Sequence, residues 1–322
     1  MNHRTTAVPQ PTPPRIEVRV PLPDLAPWRA GNTDTEGVWS FAAAEPGPHL
    51  LITALVHGNE IAGALLLARW LREAVRPRCG TLSLCFANLA AFDRFDPADP
   101  TASRFLDEDL NRLWADDLLA GQRRSAELDR ARALLPLVRQ ADVLLDLHSM
   151  LWPSDPLFIA GPGRAARELG RAIGTPPLVV CDEGHAAGMR LIDHAHFQDG
   201  ATALLVEAGP HWQPETIAQM EETAARTLRR LGMAEDGARL PPDTKLPPGR
   251  VARVTRTVTA QSTDFAFLRS FRGGEVVPRR NTLIALDGEQ ELRTPHDECL
   301  LVMPSPRAMR GHTAVRLARF ED

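Results

Sequence analysis

The sequence predicts an α/β sheet covered by helices on both faces, followed by a smaller all-β domain at the C-terminus. Between Gly37 and Met233, short apolar runs alternate with longer runs of helical periodicity, which is typical of strands and helices in an α/β fold. A stretch at 240–249 with four prolines then interrupts this pattern. Beyond Val251 the residues follow strand-like alternation, with Gly-Gly and Asp-Gly pairs that favour turns and no helical periodicity.

The individual elements follow from the periodicity of each segment. The apolar run at 49–56, His-Leu-Leu-Ile-Thr-Ala-Leu-Val, predicts a strand buried on both faces of a sheet. After it come predicted helices at 61–75, 125–140 and 214–231, and further strands at 81–87, 142–147, 157–160, 178–181 and 201–206. We therefore divide the chain into a Pro-rich lead-in with a first strand (1–36), an α/β domain (37–239), a linker (240–250) and a β domain (251–322).

Charge and apolar patterning exclude two classes of partner. The chain has 322 residues with a formal net charge of −4, so it lacks the basic surface expected for a nucleic-acid partner. Its longest apolar runs are far too short to span a membrane, and its Pro-rich start lacks the apolar core of a secretion signal. The four cysteines are scattered without a Cys-x-x-Cys pair, which predicts free thiols in a reducing cytoplasm.

Two features of the composition, the absence of tyrosine and the single lysine, exclude several chemistries. There is no tyrosine, so no mechanism can use a tyrosine acid, nucleophile or radical. The one lysine, Lys245, lies in the proline-rich linker, which argues against a Schiff base and against a Gly-Lys-Ser/Thr phosphate loop. A lipoyl or biotinyl carrier is also excluded, since the β-rich region has no lysine to modify.

Polar residues that directly follow predicted strands are the candidate site, because ligands of open α/β sheets bind beyond strand ends. His57 and Glu60 follow the first buried strand, and His148 ends the strand at 142–147. Together they form a His₂Glu set, a recurring zinc arrangement that leaves a position open for water. The alternative is a surface histidine beside a glutamate that favours a helix start.

The remaining candidates have two interpretations each. Asp146 either orients His148 as a neighbouring carboxylate or caps a loop. Glu207 ends the apolar strand at 201–206 and is either a helix-start cap or a general base of raised pKa. Arg104 and Arg112 lie in a long polar loop, where they either stabilise an oxyanion and a carboxylate or form ordinary surface salt bridges.

Taken together, four motifs resemble the succinylglutamate desuccinylase/aspartoacylase family, relatives of the zinc carboxypeptidases. The motifs occur in the family's order and approximate spacing: His57-Gly-Asn-Glu60, Asp109-Leu-Asn-Arg112, Asp146-Leu-His148 and Glu207-Ala-Gly-Pro210. The resemblance covers residues 45–235. It implies a doubly wound mixed sheet, a catalytic domain at 37–239 and a β-rich C-terminal domain.

The resemblance also implies a role for each matching residue. The matches to His57, Glu60 and His148 bind one zinc ion, and the match to Glu207 activates the attacking water and later protonates the leaving nitrogen. The match to Arg104 stabilises the oxyanion. The matches to Asn111 and Arg112 hold a substrate carboxylate.

This chain departs from the family on the substrate side. Ser149-Met-Leu-Trp152 replaces the usual Asn-Thr-Thr, and His211 stands where glutamine is usual. The tyrosine with which aspartoacylases contact substrate is absent. We expect His211 to contact substrate, whereas His185, His194 and His196 are interpreted as surface or pocket residues.

The sequence thus predicts a cytoplasmic zinc-dependent amide hydrolase that removes an N-acyl group from a small amino acid or amine. Its partner would be a small-molecule N-acyl substrate, with no nucleic acid and no membrane, and a homo-oligomer is compatible with the sequence. The alternatives are a metallocarboxypeptidase acting on peptide C-termini and a catalytically silent metal-binding protein on the same scaffold.

Overall fold

The computed structural model describes residues 17–234 and 239–321 and confirms the α/β prediction. The α-helices of the described ranges are α1 (Ile61–Arg72), α2 (Leu89–Phe92), α3 (Asp116–Ala120), α4 (Ala126–Val138), α5 (Arg164–Ile173) and α6 (Pro214–Arg230). None of them combines the length and the apolar character needed to cross a bilayer. All four cysteines lie in the described ranges and are free thiols, as the sequence predicts.

The strands form one large mixed sheet and one small antiparallel sheet. In chain order they are β1 (Val38–Ala42), β2 (Glu45–Ala54), β3 (Cys79–Phe86), β4 (Val143–Met150), β5 (Leu157–Ala160), β6 (Leu178–Cys181), β7 (Thr202–Pro210), β8 (Arg250–Thr259), β9 (Phe265–Phe267), β10 (Val276–Val277), β11 (Leu283–Asp287), β12 (Gln290–Arg293), β13 (Cys299–Val302) and β14 (Thr313–Glu321). The large sheet has eleven strands in the order β1-β3-β2-β4-β7-β5-β6-β8-β14-β13-β10, and the small sheet has the order β12-β11-β9.

Helices cover both faces of the central strands, which gives the doubly wound arrangement. Leu50 and Ile52 of β2 point into one core, which α1 and α6 close with side chains such as Trp70 and Leu228. Leu51 points to the opposite core, which α4 covers. This alternation explains why β2 reads as a continuous apolar run, since each of its faces is buried.

Several elements of the α/β region were not predicted, among them β1, the short helices α2 and α3, and α5. β1 pairs antiparallel with β3 at the sheet edge, and its half-buried residues give only a weak strand pattern. Within the described part of 1–36 the regular structure is a single 3₁₀ turn, Ala26–Trp28. Helix α5 is strongly polar and buries only three residues, so its apolar stripe is too narrow to stand out in the sequence.

The C-terminal β region is joined to the large sheet. β8 pairs in parallel with β6, and β14 then pairs antiparallel with β8 along nearly its whole length. A third core, containing residues such as Phe265, Ile284 and Leu301, lies in this region. No helix or strand lies in 239–249, but the domain boundaries drawn from the sequence remain predictions. The C-terminal strands β8, β14, β13 and β10 thus extend the same sheet that carries the candidate site.

Candidate active site

The three predicted metal ligands converge at the ends of two adjacent strands. His57 and Glu60 lie in the turn between β2 and α1, and His148 lies near the end of β4. His57 Nδ1 is 2.7 Å from Glu60 Oε1, and His148 Nδ1 is 3.2 Å from Glu60 Oε2. One donor atom from each residue lies within 4.8 Å of the other two, and all three side chains are buried. Two imidazoles and one carboxylate at this spacing could bind a metal ion.

The backbone explains why these distant residues meet. β2 and β4 are parallel neighbours with Thr53 opposite Asp146, so their carboxyl ends lie side by side. The chain after β2 then turns sharply through Leu55, which adopts a φ of 59°. Gly58 is required in this turn, because a Cβ there would lie only 2.5 Å from the Phe92 nitrogen.

A carboxylate lies next to the Nε2 atom of each candidate ligand histidine. His148 Nε2 is 2.8 Å from Asp146 Oδ2, and Thr53 Oγ1 donates to the other Asp146 oxygen at 2.6 Å. His57 Nε2 is 3.0 Å from Asp109 Oδ1. Such carboxylates fix the tautomer and orientation of an imidazole, so that its other nitrogen faces the metal position. Asp146 therefore orients His148 and does not cap a loop.

Burial and ion pairing shift the pKa values of Glu60 and His148 in opposite directions. Burial alone would raise the pKa of Glu60, but His57 and His148 outweigh it and hold that pKa well below its usual range. For His148, burial lowers the pKa, and the carboxylates of Asp146 and Glu60 outweigh it, so the net shift is upward. Glu60 and His148 therefore favour each other's charged forms.

Glu207 lies in β7 directly opposite His148 of β4 in the ladder. Its side chain is buried, and its Oε2 atom has no hydrogen-bond partner among the described residues. Burial, followed by the nearby charge of Glu60, raises the pKa of Glu207 to about 8. A carboxyl group of this kind, next to a candidate metal position, can accept and return a proton near neutral pH.

The loop before α3 brings Arg104 to the same point. Arg104 Nη2 is 2.8 Å from His57 Nε2 and 3.1 Å from Asp109 Oδ2, and Nη1 is 3.6 Å from Glu60 Oε1. The Arg104 carbonyl accepts a hydrogen bond from the Gly58 nitrogen, which attaches the loop to the turn that carries the ligands. Burial would raise the pKa of Asp109, but His57 and Arg104 hold it well below its usual range.

Comparison with known proteins agrees with this geometry. The family model described as the succinylglutamate desuccinylase/aspartoacylase catalytic domain matches residues 46–231, more than half of the chain. The chain belongs to this family. It is 29% identical over 296 residues to a succinylglutamate desuccinylase of Burkholderia orbicola, covering 81% of this chain and 78% of that protein. It is also 26% identical over 216 residues to the N-acyl-aromatic-L-amino acid amidohydrolase of Xenopus laevis, covering 61% and 68% of the two chains.

Several solved structures share the fold of this chain. The succinylglutamate desuccinylase of Vibrio cholerae superposes with a TM-score of 0.66 at 21% identity, over 89% of this chain and 88% of that chain. The product-bound ectoine utilization protein EutE (DoeB) of Ruegeria pomeroyi gives a TM-score of 0.60 at 17% identity, over 87% of each chain. These similarities extend beyond the 46–231 region and so include the C-terminal β region.

Asn111 and Arg112, the residues that match the family's carboxylate-binding pair, lie in a 3₁₀ turn beside Asp109. The Asn111 side-chain oxygen accepts a hydrogen bond from the Leu191 nitrogen at 2.9 Å, which orients the side chain and leaves its amide NH₂ group to donate to a ligand. Arg112 Nη1 donates to the Asn111 carbonyl at 2.7 Å, and Nη2 is 3.9 Å from Asp109 Oδ2. Burial lowers the pKa of Arg112 to about 10, at which it keeps its charge at neutral pH.

His211 is buried close to the ligand cluster. Its Nδ1 atom is 2.6 Å from Ser149 Oγ, and the Ser149 nitrogen donates to Glu60 Oε2 at 2.8 Å. Burial lowers the pKa of His211 to about 4, so its ring is neutral. Two departures from the family pattern, at 149 and 211, are therefore in direct contact with each other.

The three other histidines do not form one cluster. His196 Nε2 contacts the Ala141 carbonyl, just before β4 begins and thus at the opposite end of that strand from His148. His194 lies 3.4 Å from Asp116 and packs edge-on to Trp114. Only His185 interacts electrostatically with Arg112, and burial together with that charge lowers its pKa to about 3.

Glu127, at the start of α4, fixes the Arg104 loop and was not identified from the sequence. Its fully buried carboxylate accepts hydrogen bonds from three consecutive backbone nitrogens, at 2.6 Å from Leu106, 3.0 Å from Asp107 and 3.2 Å from Glu108. Nothing in the local sequence distinguishes it from an ordinary acidic residue in the first turn of a helix.

Three further charged residues were missed beside Arg112: Asp182, Arg190 and Arg316. Of these only Arg316 had a signal in the sequence, since it interrupts the apolar run of β14, where its neighbours Val315 and Leu317 are fully buried.

Proposed function

We propose that this protein is a zinc-dependent amide hydrolase that removes an N-acyl group from a small amino acid or amine. The observation that carries the proposal is the buried His57, Glu60 and His148 set beside the unpaired Glu207 carboxyl group. Family membership supports the reaction class, since the relatives include proteins named succinylglutamate desuccinylase and N-acyl-aromatic-L-amino acid amidohydrolase.

The three ligands fit a zinc ion. Two imidazole nitrogens and one carboxylate oxygen converge, and Asp146 and Asp109 hold the far nitrogens of the two rings. When bound, the ion would supply a Lewis acid that polarises the acyl carbonyl and acidifies water. The absence of disulfides agrees with a cytoplasmic location, which we also propose.

The protein groups around this position would transfer the proton, stabilise the oxyanion and bind the substrate. Glu207 takes the proton of the attacking water and later gives it to the leaving nitrogen, because its raised pKa suits both transfers. Arg104, held by Asp109, stabilises negative charge on the former carbonyl oxygen. The amide group of Asn111 and the guanidinium of Arg112 bind the substrate carboxylate, and His211 borders the substrate.

A substrate panel tests the reaction class. Purified zinc-loaded protein is assayed against N-acetyl and N-succinyl amino acids and, in parallel, against dipeptides and N-acyl dipeptides. We expect release of free amine from the N-acyl amino acids, with dipeptide hydrolysis slower by at least about tenfold. Faster cleavage of peptide C-termini would replace the proposal with a metallocarboxypeptidase. No turnover of any amide despite stoichiometric zinc would favour a silent metal-binding protein.

A further inference from the structure

A glycine of the C-terminal β region forms backbone hydrogen bonds with the loop that connects β4 to β5, residues 151–156. The Gly273 nitrogen donates to the Pro153 carbonyl at 3.0 Å, and the Gly273 carbonyl accepts from the Asp155 nitrogen at 2.9 Å. These two hydrogen bonds make a single parallel β-bridge in which Gly273 lies opposite Ser154. The C-terminal region is therefore attached to this loop through backbone atoms on both sides.

The close approach of the two segments requires the Gly-Gly pair. A Cβ on Gly273 would overlap Ser154 Oγ and would lie 2.6 Å from Ser154 Cβ, so rotation of the hydroxyl group would not relieve the contact. Gly274 has a φ of 94°, which favours glycine, and a Cβ there would lie 2.6 Å from Asp155 Oδ2. Ser154 is buried, so it has little room to move away. A side chain at either glycine would push the loop outward.

The strands of the C-terminal region fix the glycine pair itself. The Gly274 nitrogen donates to the Leu301 carbonyl at 2.9 Å, and the Leu301 nitrogen donates to the Glu275 carbonyl at 2.9 Å. Leu301 belongs to β13 and is fully buried in the third core. The pair is thus a rigid extension of the large sheet, and the loop is the segment that would move.

An ion pair beside the bridge contributes much less to this attachment. Arg272 Nε and Nη2 lie 2.9 Å and 2.7 Å from Asp155 Oδ1. The two side chains are 61% and 57% exposed, so water and salt screen the interaction. The backbone hydrogen bonds and the fit of the glycines therefore hold the loop in place.

The first end of the loop is attached to the candidate site by a separate set of contacts. The Ser149 nitrogen donates to Glu60 Oε2 at 2.8 Å, and Ser149 Oγ is 2.6 Å from His211 Nδ1. The His211 nitrogen in turn donates to the Met150 carbonyl at 2.8 Å. These contacts join the end of β4 to the ligand turn and to the end of β7, so they do not depend on the glycine pair.

Leu151 and Trp152 form a short tip between the two attachments. Met150 is held on one side of the tip and Pro153 on the other. Leu151 is 36% exposed and Trp152 is half-buried. Because consecutive Cα atoms are about 3.8 Å apart, the Leu151 Cα lies within about 8 Å of the Ser149 Cα. The tip is thus an apolar surface at the edge of the candidate site.

We propose that Gly273 and Gly274 are positioning residues that hold the Leu151–Trp152 tip beside the substrate. This proposal rests on the proposed hydrolase function, because it makes the tip part of the wall of that substrate site. The C-terminal β region acts on substrate binding through this loop and does not contact the reacting atoms. Release of the loop should weaken substrate binding and leave the candidate metal ligands in place, because β2, β4 and the ligand turn hold them.

Two Gly→Ala variants test this assignment. Gly273→Ala adds the Cβ that meets Ser154, whereas Gly163→Ala is the matched control, since nothing lies within 4 Å of a Cβ there and its φ is −65°. Both are assayed with N-acetyl-L-leucine and N-acetyl-L-aspartate. Gly273→Ala should raise KM about five- to twentyfold, keep kcat within about twofold and retain stoichiometric zinc. Gly163→Ala should match the wild type. An unchanged KM in Gly273→Ala, or a loss of zinc, would overturn the proposal.

A compensating variant shows whether the effect passes through the loop. Ser154→Gly removes the two atoms nearest to the introduced Cβ and leaves the backbone Cα at 3.1 Å. In the double variant Gly273→Ala/Ser154→Gly, KM should return to within about threefold of that of Ser154→Gly alone. Arg272→Gln should change KM by less than about twofold, because its ion pair is exposed. No recovery in the double variant, or a larger effect of Arg272→Gln than of Gly273→Ala, would overturn the proposal.

Tryptophan fluorescence tests the position of the tip without any substrate. The difference between each protein and its Trp152→Phe counterpart isolates Trp152 among the six tryptophans of the chain. Acrylamide should quench this contribution more strongly in Gly273→Ala than in the wild type, and equal quenching would overturn the proposal. If the wild type hydrolyses no N-acyl amino acid, the hydrolase function fails, and the quenching difference still decides whether the glycines hold the tip.

Hydrogen exchange in the wild type remains decisive if Gly273→Ala fails to fold. The amide hydrogens of Asp155 and Gly273 both donate in the bridge, so they should exchange at least about a hundredfold more slowly than unprotected amides. Exchange of the Asp155 amide at the unprotected rate would show that the loop is not held by the glycine pair and would overturn the proposal.

Discussion

The proposed metal-binding end and the proposed substrate-facing end of the candidate site are built in different ways. His57, Glu60 and His148 follow from parallel neighbouring strands, and the buried charges around them are paired with one another. The charged groups near Arg112 come instead from two loops and from β14.

The groups of the first end are therefore fixed before substrate binds, whereas those of the second end would gain their partners from the substrate. At the metal-binding end, Asp146 and Asp109 orient the two imidazoles, so the ligand geometry is organised in advance. At the proposed substrate-facing end, binding energy would depend on the Asn111 amide group and the Arg112 guanidinium. Variants at the two ends should therefore differ in their readouts, with metal content affected at one end and substrate preference at the other.

The largest effect is expected from removing a ligand. His57→Ala leaves two protein ligands, so the variant should lose stoichiometric metal after dialysis and lose activity by more than about a thousandfold. Metal analysis by mass spectrometry together with the hydrolysis assay checks both. Arg253→Gln is the control, because it removes a charged group from the neighbouring C-terminal strand. Unchanged metal content in His57→Ala would remove the metal site from this position.

A variant of Glu207 should lose activity without losing metal. This result would separate the roles of the two ends most clearly. Glu207→Gln keeps the shape of the side chain but cannot accept the proton, so kcat should fall by about 10² to 10⁴. Metal content should stay at the wild-type level, because Glu207 is not among the converging ligands. Activity above about a tenth of the wild-type value would contradict the general-base role.

The convergence of the candidate metal ligands was predictable from sequence because its signals are local. A polar residue directly after a buried strand is visible in the sequence, and parallel pairing then brings such strand ends together. His57, Glu60, His148 and Glu207 all lie where this rule places them. Asp109 was visible in a motif, but its contact with His57 depends on the path of a long loop.

The substrate-facing end was only partly predictable because its contacts depend on topology. The sequence predicted a separate β domain, and its local pattern could not reveal that β8 pairs with β6. This pairing leads to β14 and so places Arg316 beside Asp182. Helix α5 was missed for a different reason, because tertiary packing of a narrow apolar stripe outweighs its polar sequence.

The pH dependence of stability tests the unpaired state of Glu207 in the metal-free protein. Its pKa is about 8 in the folded state against an ordinary value of 4.5, so folded protein keeps a proton that unfolded protein has lost between these values. The free energy of unfolding should therefore fall as pH rises across that window, at up to about 1.4 kcal/mol per pH unit. Urea unfolding at several pH values, compared with Glu207→Gln, isolates this contribution. If the free energy of unfolding depended on pH in the same way in the wild type and in Glu207→Gln, the raised pKa would be contradicted.

The smallest effect is expected at Glu127, which bears on both ends because it fixes the loop of Arg104 and Asp109. Glu127→Gln presents an amide donor to backbone nitrogens that also donate, so it should lower the free energy of unfolding by about 1–3 kcal/mol. Through the displaced Arg104 it should lower kcat about tenfold while metal stays bound. Asp142→Asn is the control, since Asp142 accepts a backbone hydrogen bond from His49 at the other end of the sheet.

A double variant distinguishes positioning from general destabilisation. If Glu127 acts through Arg104, then Glu127→Gln should cost little additional activity in an Arg104→Lys background, whereas its effect on the free energy of unfolding should persist. Fully additive losses of activity would show that the loop and the Arg104 guanidinium contribute independently. In that case the ion pair with Asp109 would hold Arg104 in place without help from the Glu127 contacts.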